Sequence, residues 1–472
     1  MNPTLTSPAA VAAEPSRAAV PSSTWALTSL ALAALLSALG TSIANVALPT
    51  LATAFGASFG AVQWVVLAYL LASTSLVVGV GRLGDLVGRR WLLRAGLVVF
   101  TAGSALCGLA PNLGALIAAR ALQGLGAAVM MALTVALVSG TVPAGRTGRV
   151  IGLLGTMSAL GTALGPSLGG VLIAGFGWRA IFLVNVPLGA AVWWLTGRHV
   201  PVDGPRRAAR TTEFDTFGTV LLAGALAAYA LSLTLGRGAF GSLNAALLVA
   251  AGAGLAAFVV TETSVDAPLV DLTMLRDPAL RTGLVLSGLV ATVMMATLVV
   301  GPFFLARSLG LVPAAVGLVM SAGPLVAAVN AAPAGRLVDR LGAGRMTTLG
   351  LGIMTAACAV LVAAPSRWGV AGYVGPMVVL TAGYALFQTA NNTAIMAGAG
   401  AERRGVVSGL LNLARNLGLI TGTAVMGAIF AHATGDLATA TPAAVAEGLR
   451  ITFGVAGGLV AVGWVVAVGG KR

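Results

Sequence analysis

Long apolar runs recur along almost the whole chain and leave few folds open to it. Each run is close to the ~20 residues that a helix needs to cross the hydrocarbon core of a bilayer. Only 8% of the 472 residues are charged and 58% are hydrophobic, so no large water-soluble domain fits between the runs. The chain is therefore predicted to be an all-α membrane protein.

Fourteen of these runs are predicted to be membrane-spanning helices. Their approximate bounds are 26-48, 61-80, 95-110, 115-141, 150-174, 180-196, 216-235, 244-262, 282-305, 314-333, 347-364, 371-396, 405-432 and 449-468. With the N-terminus in the cytoplasm, twenty of the 27 Lys and Arg residues fall on the cytoplasmic side and five fall outside. Because cytoplasmic loops carry the excess of positive charge, we expect a multi-pass protein of the cell (plasma or inner) membrane with both termini cytoplasmic.

Several other classes of protein are disfavoured by the composition. The net charge of +14 follows from the topology and from attraction to anionic lipid, so nucleic-acid binding is not predicted. Cys107 and Cys358 both fall within predicted spans, which indicates packing and not a disulfide or a metal site. Two histidines near loops and no HExxH or GxSxG motif argue against an enzyme, and no cofactor is expected.

Two phrases occur twice, at nearly the same offset. "GRLGDLVGRR" from Gly81 returns as "GRLVDRLGAGR" from Gly335, and "AGRTGRVIGLL" from Ala144 returns as "AERRGVVSGLL" from Ala401. A duplicated bundle of like orientation is typical of transporters whose halves rock about a central site, and suits a channel less well. The predicted organisation is a disordered cytoplasmic tail at 1-25, a six-helix half at 26-196, a cytoplasmic linker at 197-215, two extra linking helices at 216-262 and a second six-helix half at 263-472.

Five motifs in order resemble those of one family. "GRLGDLVGRR" resembles the loop between the second and third helices of the major facilitator superfamily, "ARALQGLGAA" from Ala119 its fourth-helix motif, and "GTALGPSLGG" from Gly161 its antiporter-type fifth helix. With "SIANVALP", "GWRAIFLVNVPLG" and fourteen spans, the chain is similar over nearly its whole length to the fourteen-helix drug:proton antiporters of the multidrug and antibiotic efflux type. This implies the superfamily's fold, with pseudo-symmetric six-helix halves.

The resemblance also implies a function. We expect a secondary active transporter that exports small amphipathic compounds, such as drugs, antibiotics or toxic metabolites, by alternating access in exchange for protons. Its expected partners are the substrate, protons and the lipid bilayer. A dedicated metabolite exporter and an uncoupled facilitator of the same fold remain alternatives.

The first repeated phrase supplies candidate gating residues. Glycines allow a sharp turn between helices, and a carboxylate near the start of the next helix gains about 0.3 to 1 kcal/mol from the helix dipole. The resemblance implies that Asp85 latches the cytoplasmic side in one state and that Asp339 is its twin; simple helix capping is the alternative. The predicted gating set is Gly81, Arg82, Asp85, Gly88, Arg89, Gly335, Asp339 and Gly342.

Two arginines lie inside apolar runs. Arg120 is in the fourth run, where a guanidinium costs about 2.5 to 3.5 kcal/mol, so it must face water or a partner. The resemblance implies a cavity-facing arginine involved in proton coupling; a buried arginine satisfied by backbone carbonyls is the alternative. Arg415 is a second candidate of the same kind, with Asn412 and Asn416 beside it.

A stripe of small residues marks the fifth span. Gly161, Gly165 and Gly169 recur at every fourth position and so form one smooth face that lets two helices pack closely. Pro166 removes a backbone hydrogen bond and can kink the helix. The resemblance implies that this helix, with Gly170, is a hinge between the halves that seals against proton leak.

Polar residues within the spans are candidates for the substrate cavity, because uncompensated polar groups facing lipid are costly. Hydrogen bonding between helices is the alternative for each. The predicted cavity set is Asn45, Gln63, Trp64, Gln123, Asn330, Gln388, Asn391 and Asn392.

Acidic residues are missing from the central part of every predicted span. Members of the resembled family commonly carry one where this chain has Gly40. A cationic substrate would need a carboxylate to offset its charge, so neutral or anionic amphipathic substrates are predicted over quaternary ammonium compounds. For proton exchange, Asp85 and Asp215 are the acids nearest the membrane.

Overall fold

The computed structural model describes residues 23–141, 147–201, 216–235, 241–264, 272–363, 368–398, 404–437 and 439–469. The predicted tail up to residue 22 and residues 202–215 of the predicted linker, including Asp215, lie outside this part of the chain. For Gly81, Arg82 and Asp85 the structure describes the backbone but not the side-chain surroundings.

The described residues fold into helices, because a backbone inside lipid must satisfy its own hydrogen bonds. The α-helices are α1 Ser23–Phe55, α2 Phe59–Val87, α3 Arg89–Leu109, α4 Leu113–Thr141, α5 Thr147–Phe176, α6 Ala180–Leu183, α7 Asn185–His199, α8 Thr216–Thr234, α9 Ser242–Ser264, α10 Pro278–Val299, α11 Gly301–Phe303, α12 Pro313–Leu341, α13 Ala343–Ala363, α14 Gly369–Gly398, α15 Arg404–Thr434 and α16 Pro442–Gly469.

These helices make up the fourteen spans that the sequence predicts. Helices α6 and α7 together form one span, and α10, α11 and the π-helical turn Phe304–Ser308 form another. Among the described residues, thirteen spans are long and apolar enough to cross a membrane, and the fourteenth, α8, has a shorter apolar stretch at Val220–Thr234. The all-α, fourteen-helix fold class is confirmed.

The predicted glycine-rich loops at Gly81 and Gly335 are wrong in extent. Helix α2 continues to Val87 and α12 to Leu341, so both phrases are largely helical. Each pair of helices is separated by a single residue, Gly88 with φ 101° and Gly342 with φ 87°. One residue with positive φ is enough to turn the chain, and only glycine adopts it without strain.

The two halves, α1–α7 and α10–α16, repeat the same packing. Helix α1 packs on α5 as α10 packs on α15, and α3 packs on α4 as α13 packs on α14. The Ser42 hydroxyl donates to the Gly161 carbonyl over 3.2 Å, and the Thr292 hydroxyl donates to the Gly418 carbonyl over 3.1 Å. The structure therefore carries the pseudo-symmetry that the repeated phrases predict.

The halves meet along two seams, α5 with α12 and α2 with α15. Helix α8 packs against both α2 and α15, and its Tyr229 hydroxyl donates to the Thr421 hydroxyl over 3.2 Å. Helix α9 packs mainly on α8 and exposes large apolar side chains such as Val249. The two extra helices thus lie against the α2–α15 seam.

Candidate functional site

The halves close on each other at one end of the bundle, which we call the Phe55 end because the α1–α2 turn lies there. Phe59 of the first half packs edge-on against Phe303 and at a tilt against Phe430, both of the second half, with ring centroids 4.8 and 5.2 Å apart. All three rings are buried. They form an apolar plug between the two halves at this end.

Backbone contact closes the α5–α12 seam at the same end. A Cβ built at Gly170 would lie 2.6 Å from the Pro313 carbonyl oxygen, and one built at Gly317 would lie 2.9 Å from the Gly170 Cα and closer still to the Pro166 carbonyl oxygen. No side chain fits at either position unless the helices separate.

At the equivalent place in the α2–α15 seam, a side-chain hydrogen bond takes the place of the glycine contact. The Gln63 amide donates to the Thr423 carbonyl over 2.8 Å, and a Cβ at Gly427 would overlap that amide. Through the repeat, Gly427 corresponds to Gly170 at the offset of 257 that relates the second pair of phrases, and Gln63 to Gly317 at the offset of 254 that relates the first. The two seams therefore use equivalent positions for closure.

The opposite end of the bundle is called the Gly88 end. The ring contacts, close glycine approaches and hydrogen bond described above join the two halves at the Phe55 end and not here. The Asp339 side chain is exposed there, and no described residue forms an ion pair with it. A latch at Asp339 is thus not engaged in this conformation.

The remaining gating candidates have structural contacts at this end. Arg89 donates to the Ala136 carbonyl of α4 over 3.2 Å. Gly84 is helical and faces Leu133, where an added Cβ would come within 2.8 Å of a methyl carbon. The side chains of Arg82 and Asp85 lie outside the described residues, so the predicted Asp85 latch stays a prediction.

Arg120 is fully buried, and the expectation that it faces a cavity is corrected for this conformation. Its Nε donates to the Val65 carbonyl over 2.8 Å, and one terminal nitrogen donates to the Gly40 carbonyl over 3.0 Å. The same nitrogen donates to the Gln123 side-chain oxygen over 2.6 Å. Two of the three nitrogens of the planar fork thus find oxygens, and these lie on three helices.

The charge of Arg120 is compensated without an acid among the described residues. Its guanidinium carbon lies 4.3 Å from the centre of the Tyr69 ring, a cation–π contact. The Gln123 amide continues the network by donating to the Ser104 hydroxyl over 2.7 Å. One terminal nitrogen of Arg120 has no hydrogen-bond partner, so a buried donor remains available.

Gly40 lies directly against this network. An added Cβ there would meet the Phe100 ring at 3.0 Å and the Tyr69 hydroxyl at 3.5 Å. The Gly40 carbonyl accepts a hydrogen bond from Arg120, and the Phe100 ring occupies the space where a side chain at this position would begin.

A cavity of about 140 Å³ lies in the second half, between α10, α14 and α15. Its apolar wall includes Val290, Phe387 and Leu411. Its polar lining residues are Ser287, Tyr384, Gln388, Asn392, Asn412 and Arg415. Three predicted site residues, Arg415, Gln388 and Asn392, are therefore brought together.

The other predicted cavity residues do not line this cavity. Four of them are buried and form hydrogen bonds between or within helices, which is the alternative role considered for them above. Asn391, for instance, donates to the Gly283 carbonyl over 3.0 Å. These four are Asn45, Gln63, Gln123 and Asn391. Trp64 and Asn330 are half-buried, and Asn330 bonds to Val326 of its own helix.

The glycine stripe of α5 packs mainly within its own half. A Cβ at Gly161, Gly165 or Gly169 would collide with α1. Gly170 and the Pro166 carbonyl of this motif touch α12 of the other half. The predicted hinge role stays a prediction, and its contact with the second half is narrower than the motif suggests.

The chain is similar to known transporters in both sequence and fold. The model of the Major Facilitator Superfamily matches residues 30–423. The chain is 34% identical to the uncharacterized transporter YebQ of Escherichia coli K12, over 87% of this chain and 92% of YebQ. It is 34% identical to the multidrug resistance protein Stp of Mycobacterium tuberculosis, over 82% of this chain and 72% of Stp.

Among solved structures, a bacterial homolog of the human lysosomal transporter Spinster, in an inward-facing and occupied conformation, superposes with a TM-score of 0.71. The sequences are 16% identical, and the match covers 96% of this chain and 97% of that one. At this identity the likeness concerns the fold alone.

Proposed function

This chain belongs to the major facilitator superfamily, whose members are transporters and not enzymes, and we propose on that premise that it exports small amphipathic compounds by alternating access in exchange for protons. The contact pattern between the halves carries the proposal. Among the described residues, the ring contacts, close glycine approaches and hydrogen bond that join the two halves at the plug and along both seams lie at the Phe55 end. Such a bundle is closed on one side of a central site and accessible from the other.

The direction of access follows from charge. Arg89, Arg90 and Arg94 lie beside Gly88, and Arg340 and Arg345 beside Gly342. Because basic residues stay on the cytoplasmic side, we assign the Gly88 end to the cytoplasm. The structure then corresponds to the inward-facing state, in which an exporter loads its substrate.

Export of drugs is supported by the relatives. Stp is named a multidrug resistance protein and matches this chain over most of both lengths. The antiporter-type motif of α5 points the same way, with Gly161, Gly165 and Gly169 packed against α1 so closely that no side chain fits between the helices.

Uncoupled efflux, or export of one dedicated metabolite, is the second candidate. The observation that favours uncoupled efflux is the lack of an Asp or Glu in the central part of any span. A carboxylate with a raised pKa is the usual carrier of a proton near neutral pH. If protons are exchanged, the buried Arg120 network with its unpaired donor is the membrane-embedded group that we assign to coupling.

We expect the protein to lower the drug sensitivity of a host that lacks its own efflux pumps. The minimum inhibitory concentration of neutral and anionic amphipathic antibiotics should rise at least about fourfold, and that of quaternary ammonium compounds should not. Inside-out vesicles should then acidify less on addition of substrate, and a protonophore should stop substrate accumulation.

A vector without the gene and the Arg120→Ala variant are the controls. Accumulation that persists with the protonophore present would favour the uncoupled facilitator. No change in sensitivity to any compound, with the protein shown to be in the membrane, would contradict export itself.

A further inference from the structure

Arg415 carries a positive charge that the described protein does not neutralise. It forms no hydrogen bond, ion pair or ring contact with another described residue, and it is exposed to the cavity of the second half. At 1.5 Å per residue it lies about 12 Å along α15 from Val407, where the apolar stretch Val407–Thr434 begins. A free guanidinium at that depth is costly unless water or an anion meets it.

Three polar side chains around Arg415 have hydrogen-bond donors that no other described residue uses. Gln388, Asn392 and Tyr384 line the same cavity, and none of the three side chains bonds to another described residue. Each presents an N–H or O–H that a ligand can use. The residues that line the cavity include no Asp or Glu.

The size and the walls of the cavity limit what it holds. A volume of about 140 Å³ is below the roughly 300 to 1,000 Å³ of sites that enclose a whole drug-sized ligand. It suits one functional group of a larger molecule. Phe387, Val290 and Leu411 supply an apolar side next to the donors, as an amphipathic ligand requires.

We propose that this cavity is the subsite for the carboxylate of an anionic, amphipathic aromatic substrate. Arg415 binds the carboxylate through two parallel N–H donors, the geometry in which guanidinium and carboxylate match. Gln388 and Asn392 complete the shell, and the substrate's aromatic body lies toward Phe387. The inference rests on the proposed export function and names the class of substrate for that site.

The test is equilibrium binding by the purified, full-length protein in lipid nanodiscs. The probes are pyrenebutyrate and its methyl ester, which differ in the carboxylate alone and are followed by fluorescence anisotropy. The wild type is expected to bind the acid at least about tenfold more tightly than the ester, the range of a charge-assisted bidentate contact. Arg415→Gln should remove this preference and leave ester binding within about twofold.

Two further variants keep the result interpretable. Gln388→Leu should reduce the preference for the acid by about threefold, and it serves as the test if Arg415→Gln does not fold, as judged by gel filtration. Arg276→Gln changes an exposed arginine outside the cavity and should leave both affinities unchanged.

A wild type that does not prefer the acid, or an Arg415→Gln protein that still does, overturns the subsite. Equal loss of both probes in Arg415→Gln also overturns it, because the arginine would then support the fold and not the anion. Export of neutral antibiotics in the susceptibility assay is scored separately. Export of any tested compound without an acid preference refutes the subsite alone, whereas no export of any tested compound refutes the proposed function.

Discussion

Export is expected to fall at least about tenfold when Gly317 is replaced by leucine. The added side chain would start 2.9 Å from the Gly170 Cα and even closer to the Pro166 carbonyl, and backbone atoms cannot move aside as a side-chain tip does. Overpacking of this kind costs about 1 to 3 kcal/mol. The cost falls on the conformation closed at the Phe55 end, so the transporter should be held away from the inward-facing state.

The measurement pairs export with a reporter of closure. Thr423 is fully buried and its carbonyl accepts the Gln63 amide across the α2–α15 seam, so a Thr423→Cys thiol should react faster with a polar maleimide in the Gly317→Leu protein. The native Cys107 and Cys358 are buried and should contribute little. Gly375→Leu is the matched control, since a Cβ there meets nothing within 4 Å. Full export by Gly317→Leu would refute the role given to this seam.

Arg120→Lys is expected to abolish export nearly as completely as Arg120→Ala. The guanidinium donates to Val65, Gly40 and Gln123 from two nitrogens about 2.3 Å apart in a planar group. A lysine keeps the charge but places it at one point, and each lost charge-assisted bond costs about 1.5 to 3 kcal/mol. The alanine variant leaves the Gln123 oxygen without its donor in a dry site.

Export and thermal stability should be measured together for both variants, with Arg276→Lys as the control at an exposed arginine. We expect both Arg120 variants to reach the membrane, to lose at least about tenfold in export and to melt at lower temperature than the control. Wild-type export by Arg120→Lys would show that charge alone suffices and that the geometry of the fork is unimportant.

The fold could be predicted because it depends mainly on the length and hydrophobicity of each local segment of the sequence. An apolar run of bilayer length has no alternative to a helix, and the repeated phrases gave the two halves before any contact was known. The helix ends were less predictable. The glycines at 81, 84 and 335 look like turn residues in the sequence. Within the two repeated phrases, however, the glycines with positive φ are Gly88 and Gly342, because a single residue is enough for each turn.

The fate of each buried arginine could not be predicted from its own neighbours in sequence. Arg120 and Arg415 both interrupt apolar runs, but the first is sealed by carbonyls from α1 and α2, whereas the second meets a cavity. Which of these occurs depends on where Val65 and Gly40 lie in three dimensions. No local pattern encodes that position.

The contacts that close the two seams could be predicted only in part from the sequence. Adding the offset between the first repeated phrases to Gln63 leads to Gly317, and adding the offset between the second to Gly170 leads to Gly427. The repeat therefore identifies these positions as equivalent, although no sequence pattern indicates that they form contacts between the halves. The ring cluster of Phe59, Phe303 and Phe430 had no such signal, since it joins residues from three separate helices.

The position of α8 makes the two flanks of the protein unequal toward the surrounding lipid. It packs across the α2–α15 seam, while the contacts of the described helices place neither α8 nor α9 against the α5–α12 seam. For a hydrophobic solute dissolved in the cytoplasmic leaflet, the α2–α15 seam is therefore covered by an extra helix, whereas the α5–α12 seam is in direct contact with lipid. We expect lateral entry from the bilayer, where it occurs, to be one-sided.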